Sequence, residues 1–166
     1  MKLQFSLLRF LIVAFYGIIT SCGTNVPKRL PEVKVLLLDS STIINTKSVK
    51  AGCPIVLMYF SPDCEHCHAE TQEILKNMGS LRDVQFFMVT PKSLAMLKPF
   101  YNGYKLGNYK NIKVGKDYQY GFYSNFKPRA IPYIVLYDEN RKLVKVFDGT
   151  IEAKDLIAAI NKYRRL

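Results

Sequence analysis

Five consecutive residues, Cys64-Glu65-His66-Cys67-His68, concentrate the reactive side chains of this chain: two thiols, a carboxylate and both of its histidines. Three chemistries use two cysteines separated by two residues. A redox dithiol needs one thiol that ionises and a second within disulfide reach. If the pair opens a helix, Cys64 falls in the first turn, where unpaired backbone N–H groups and the helix dipole stabilise a thiolate. Cys67, three residues on, then shares its face. A c-type haem site also fits the letters C-x-x-C-H, with His68 as axial ligand and Met78, Met88 or Met96 available opposite it. Zinc asks for two ligands beyond the thiols, and His66 and His68 on the same helix turn cannot converge with both cysteines on one ion.

The elements around the motif must hold it in place. Pro54–Phe60 (PIVLMYF) is apolar throughout, as in a central strand covered on both faces, and it runs directly into the cysteines. Ser61-Pro62-Asp63 supplies helix-start chemistry, with Ser or Asp as the cap. The spacing predicts a helix from Cys64 to Met78, its core stripe Ile74, Leu75 and Met78, stopped by Gly79. A buried strand feeding the motif favours the dithiol over a haem-enclosing helical fold. Upstream, Val33–Leu38 and Thr42–Asn45 read as a hairpin. Downstream come a strand at Val84–Val89, a helix at Ser93–Phe100 between Pro91 and Pro99, a short strand at Ile112–Val114 and a helix at Tyr118–Phe126. Strands Tyr133–Tyr137 and Leu143–Phe147 form a late hairpin, and Glu152–Tyr163 an amphipathic helix. This order predicts an α/β fold: a mixed central sheet with helices on both faces.

Residues 1–21 carry Lys2 and Arg9 ahead of the apolar run Phe10–Ile19, which is short for a membrane span. Ser21-Cys22 after such a run resembles the bacterial lipobox. That resemblance implies removal of 1–21, a diacylglycerol on Cys22, and a tether over 22–31 leading to one domain over 32–166. It places the protein in the bacterial cell envelope, held to the bilayer through Cys22 and facing the periplasm or extracytoplasmic space, where disulfide chemistry is permitted. A chain of 166 residues suits one domain, and 49% hydrophobic residues exclude wholesale disorder. Without residues 1–21 the net charge is +9, from 22 basic and 13 acidic residues. Those charges are scattered from Lys28 to Arg165, which argues against nucleic acid and suits a membrane surface or an acidic partner.

Arg129-Ala130-Ile131-Pro132 followed by the strand YIVLY, together with PIVLMYFSPDCEHC and Phe147-Asp148-Gly149 before the last helix, resembles the thioredoxin superfamily over residues 33–163. The lipoprotein signal, leading hairpin and Cys64-Glu65-x-Cys67-x-x-Glu70 are most similar to its membrane-anchored members, the TlpA-like, cytochrome-maturation thioredoxins. The resemblance implies a thioredoxin-like fold with an N-terminal hairpin and an inserted βα unit. It implies Cys64 as nucleophile, Cys67 as resolving thiol, and a cis Pro132 in contact with substrate. The backbone of Ile131 then pairs with an extended substrate strand. No metal or cofactor is expected beyond the Cys64–Cys67 disulfide.

Two departures matter. Met58 stands where soluble thioredoxins bury an acid, and Asp63 where they carry Trp. Proton transfer to Cys67 therefore falls to Glu70, one helical turn on, with Glu65 as second candidate. His66 stabilises a Cys64 thiolate and raises the potential, whereas Glu65 and Asp63 oppose it. Cys53 is expected to be a small buried hydrophobe, and the Tyr-rich stretch 101–126 either a groove wall or an insertion over a sheet edge. The expected function is a lipid-anchored thiol–disulfide oxidoreductase, with reductase preferred over oxidase. Its partners are disulfide- or dithiol-containing proteins and a membrane electron donor or acceptor. The alternatives are a non-catalytic binding module for haem, metal or a client protein, and a thiol peroxidase.

Overall fold

The computed structural model describes residues 26–49 and 51–163. Every residue of Ile55–Tyr59 (β3) is buried, which only a strand covered on both faces can satisfy. Its side chains alternate between two cores. Val56 and Met58 pack with Cys67 and Ile74 on one face, and Ile55, Leu57 and Tyr59 with Phe122 and Phe126 on the other.

Around β3 lie β1 (Lys34–Leu37), β2 (Ile43–Asn45), β4 (Gln85–Thr90), β5 (Ile112–Asp117), β6 (Tyr133–Tyr137) and β7 (Leu143–Asp148). They form one seven-stranded sheet in the order β2-β1-β5-β4-β3-β6-β7. Strands β3, β4 and β5 are parallel, β6 and β7 add an antiparallel edge, and the β1–β2 hairpin runs antiparallel to β5. The helices are α1 (Glu65–Lys76), α2 (Met78–Leu81), α3 (Leu94–Gly103), α4 (Gly121–Phe126) and α5 (Ala153–Tyr163). Ile74 of α1, Leu97 and Phe100 of α3, and Leu156 and Ile160 of α5 fill the first core, while α4 covers the other face. The mixed α/β sheet with helices on both faces is therefore observed, with β5 and α4 inserted before β6.

Several local expectations are corrected. The first helix ends at Lys76, not Met78, because Asn77 leaves the helical region and its amide donates to the Glu73 carbonyl at 2.9 Å. Gly79 lies within α2 and stops nothing. Pro99 sits inside α3, which continues to Gly103. Burial of Phe100 against Phe60 and Tyr104 offsets the N–H that Pro99 lacks. Strand β5 runs on to Asp117 because it is paired on both edges, with β4 and with β1. Gly115 permits that pairing, since a Cβ there would collide with the Leu36 carbonyl. Helix α4 accordingly starts at Gly121 and not Tyr118.

Cys53 is half-buried, a free thiol in neither core, because it precedes the strand. The described part of the stretch read as a tether is docked onto the sheet. Leu143 N–H donates to the Lys28 carbonyl at 2.8 Å, Leu30 N–H to the Arg141 carbonyl at 3.0 Å, and Leu30 is buried. The signal segment and Cys22 lie outside the described residues. Among the described residues no helix is long and apolar enough to cross a membrane.

Candidate active site

The register of β3 against β6 assembles the site. Tyr59 pairs with Tyr133, so the residues just before β6 meet those just after β3. Ile131 and Pro132, joined by a cis peptide bond, thereby face the cysteine motif. The Cys64 thiol lies 3.9 Å from the Ile131 carbonyl oxygen, across 67 residues of sequence. The Pro132 carbonyl accepts from Gly149 N–H at 2.9 Å, tying the same segment to the end of β7.

A helix leaves its first N–H groups without intrahelical partners, and a side chain must meet them. Here Cys64 is the cap itself, with extended backbone (φ −98°, ψ 115°) and its sulfur accepting from Cys67 N–H at 3.3 Å. Ser61 and Asp63, the expected caps, bond to each other instead, and Asp63 meets Lys92 Nζ at 3.2 Å. Beneath Cys64, Cys67 is fully buried and its thiol donates to the Cys64 sulfur at 2.8 Å. Both are free thiols.

The electrostatics differ on the two sides of the pair. Burial, followed by the bond to Cys64, pushes the Cys67 thiol well above the usual range, and the Ser61 N–H opposes this. The Ser61 hydroxyl, followed by Lys92, holds Asp63 below the usual carboxylate range, so an anion stays beside the cysteines. Glu70 is completely buried; Oε2 accepts from Ile151 N–H at 2.9 Å, while Oε1 has no partner. Desolvation pushes its carboxyl up. Met58 lies in the same core as Cys67, so an apolar thioether stands where an acid was missing. Glu65 and His66 project outward and are exposed.

His68 is committed elsewhere than to a haem. Its Nε2 lies 2.8 Å from the Pro62 carbonyl and its Nδ1 2.7 Å from the Tyr104 hydroxyl. Axial ligation would have to break one of these bonds and turn the ring out of its contact with Phe100, whose centroid is 5.1 Å away. Lys92, Tyr104 and the Ile151 N–H escaped the reading of the sequence, because each reaches the motif only through long-range packing. The Ser61–Asp63 pair carried a local signal, a hydroxyl two residues before a carboxylate.

A half-exposed sulfur at a helix cap, backed by a buried thiol within bonding reach, is the arrangement that thiol–disulfide exchange requires. No curated protein matches the chain significantly by sequence. Among solved structures, it is similar to a secreted disulfide oxidoreductase of Mycobacterium tuberculosis homologous to E. coli DsbE. That match has a TM-score of 0.64 and 18% identity, covering 78% of this chain and 94% of that one. StoA from Bacillus subtilis matches with a TM-score of 0.61 and 17% identity, over 80% and 98% of the two chains. A 2-Cys peroxiredoxin of Plasmodium vivax matches with a TM-score of 0.67 and 14% identity, over 84% and 96%. These likenesses establish the thioredoxin-like fold; the chemistry rests on the residues. The model of the thioredoxin-like domain matches residues 45–164, and the chain belongs to that family.

Proposed function

We propose that the protein is an extracytoplasmic thiol–disulfide oxidoreductase, anchored to the bilayer through lipid on Cys22, that works as a reductase. The Cys64 thiolate attacks a substrate disulfide, forming a mixed disulfide and releasing one substrate thiol. The Cys67 thiolate then attacks the Cys64 sulfur, releases the second substrate thiol and leaves Cys64–Cys67 oxidised. A membrane electron donor must return two electrons and two protons to restore the dithiol.

The observation that carries this reading is the unequal exposure of two sulfurs 2.8 Å apart: Cys64 half-buried at the cap and Cys67 buried. Charge that develops on Cys64 during exchange meets the Cys67 N–H at 3.3 Å. Cys67 must lose a proton that its burial holds tightly, and we assign Glu70 to receive it. Ile131 and Pro132 border Cys64 on the side from which an extended substrate segment approaches. Glu65 and His66 sit at the exposed rim, where they tune the potential in opposite senses.

Reductase activity is supported by the anionic Asp63 and the buried Cys67, both of which disfavour thiolate and so favour the disulfide product. The reduction potential of the purified domain tests the direction. A value near about −270 mV, as in thioredoxin, supports a reductase; one near about −120 mV, as in DsbA, makes it an oxidant. The secreted M. tuberculosis relative supports the compartment. Labelling with radioactive palmitate in a bacterial host, lost in Cys22→Ala, tests the anchor.

A further inference from the structure

His68 has a defined place in the fold and no part in the exchange steps above. Its ring bridges three segments: the loop before the nucleophile, α1 and α3. The chemistry of its neighbours fixes the tautomer. A carbonyl oxygen only accepts, so Nε2, 2.8 Å from Pro62 O, carries the hydrogen. In the neutral ring Nδ1 then accepts, and the Tyr104 hydroxyl at 2.7 Å donates to it. The ring also lies against Phe100 and Tyr104, at centroid distances of 5.1 Å and 5.5 Å, and Phe100 packs in turn on Phe60 at the end of β3. Both ring nitrogens and a ring face are thus engaged.

The loop that this ring grips reaches both cysteines. Cys64 N–H donates to the Ser61 carbonyl at 3.2 Å, and hydrogen bonding from the Ser61 backbone opposes the rise of the Cys67 thiol. Pro62 and Asp63 alone connect those Ser61 contacts to Cys64. Holding the Pro62 carbonyl fixes the peptide plane that leads into the nucleophile, and with it the placement of Cys64 over Cys67.

We infer that His68 is a positioning residue for the Cys64–Cys67 pair: through Pro62 it holds the nucleophile's loop in register with the buried thiol, and Tyr104, which caps the end of α3, holds His68. The inference rests on the dithiol reading of the site. Its consequence is energetic: a disulfide between two sulfurs is stabilised by their effective concentration, and loosening one of them lowers it.

The test is the equilibrium of the purified protein with a glutathione buffer, in which protein dithiol plus glutathione disulfide gives protein disulfide plus two glutathiones. His68→Phe keeps an aromatic ring but removes both polar contacts, and lowers the equilibrium constant about tenfold. His68→Gln offers an N–H to Pro62 and an oxygen to Tyr104, and restores the constant to within about twofold of wild type. Tyr104→Phe removes one hydroxyl and gives a fall of about threefold in the same direction. A constant unchanged in His68→Phe, or a fall that His68→Gln does not restore, overturns the inference. If His68→Phe does not fold, Tyr104→Phe decides, and an unchanged constant there overturns it. Failure of the wild-type protein to exchange with glutathione at all would instead sink the dithiol reading itself.

Discussion

Among the described residues, each face of the sheet buries one carboxylate, and the two are treated differently. On the α4 face, Asp117 at the end of β5 is completely buried, with Oδ1 accepting from Gly121 N–H at 2.8 Å and Oδ2 from Phe122 N–H at 2.9 Å. On the cysteine face, Glu70 is equally buried, but one oxygen has a backbone donor and the other none. Desolvation raises both carboxyls, and the backbone N–H groups oppose that rise at each. Asp117 is arranged as a cap for a six-residue helix that could not satisfy its own first turn. Glu70 is left half satisfied, one helical turn from a thiol that must release a proton. Filled acceptors suit an acid that serves structure, and the open oxygen of Glu70 is what the proposed proton transfer would use.

The largest expected effect falls on the structural side. Asp117→Ala orphans the N–H groups of Gly121 and Phe122 and lowers stability by about 2–3 kcal/mol in urea unfolding. Its glutathione equilibrium constant stays at the wild-type value. A loss of exchange with stability intact would reverse the roles assigned to the two carboxylates.

Glu70→Gln is the complementary change. The amide has nearly the same volume and can still accept from Ile151, so unfolding shifts by less than about 1 kcal/mol. Resolution of a pre-formed Cys64–glutathione mixed disulfide slows by at least about tenfold, because the acceptor of the Cys67 proton is gone. Stopped-flow release of glutathione measures this step, and a wild-type rate in the variant removes Glu70 from the mechanism.

The pH dependence of stability gives the smallest effect. A carboxyl raised in the folded state binds its proton more tightly there than in the unfolded chain. Its contribution to stability is complete below the ordinary carboxylate range and is lost as pH rises through the raised folded value. Glu70→Gln deletes that loss at one site. The variant therefore gains on wild type as pH rises above the ordinary carboxylate range, read from urea midpoints. A gap that closes with rising pH would mean that Glu70 is stabilised as an anion.

The sheet was largely legible because its strands are short apolar runs bounded by turn residues; Tyr133–Tyr137 is observed with the predicted limits. Boundaries failed where tertiary contacts overrode local signals. Pro99 does not end α3 because Phe100 is locked into the core, and β5 outruns its apolar stretch because it is paired on both edges. Cys53 shows the limit of composition, since its burial depended on whether the strand began before or after it. The cysteine pair and the segment around Pro132 were readable as motifs. The partners of the residues around them were not: Glu70 meets the Ile151 N–H 81 residues away, and His68 the Tyr104 hydroxyl 36 residues away. Asp117 stayed hidden because its helix starts four residues later, beyond the spacing of an ordinary cap.

The proposed mechanism divides the labour between a half-buried nucleophile, Cys64, and a buried resolving thiol, Cys67. Its most direct test is mass spectrometry of Cys67→Ala and Cys64→Ala after incubation with glutathione disulfide. A stable glutathione adduct is expected on Cys64 in Cys67→Ala, and none on Cys67 in Cys64→Ala. An adduct on Cys67 in Cys64→Ala, with Cys67→Ala unmodified, would contradict it.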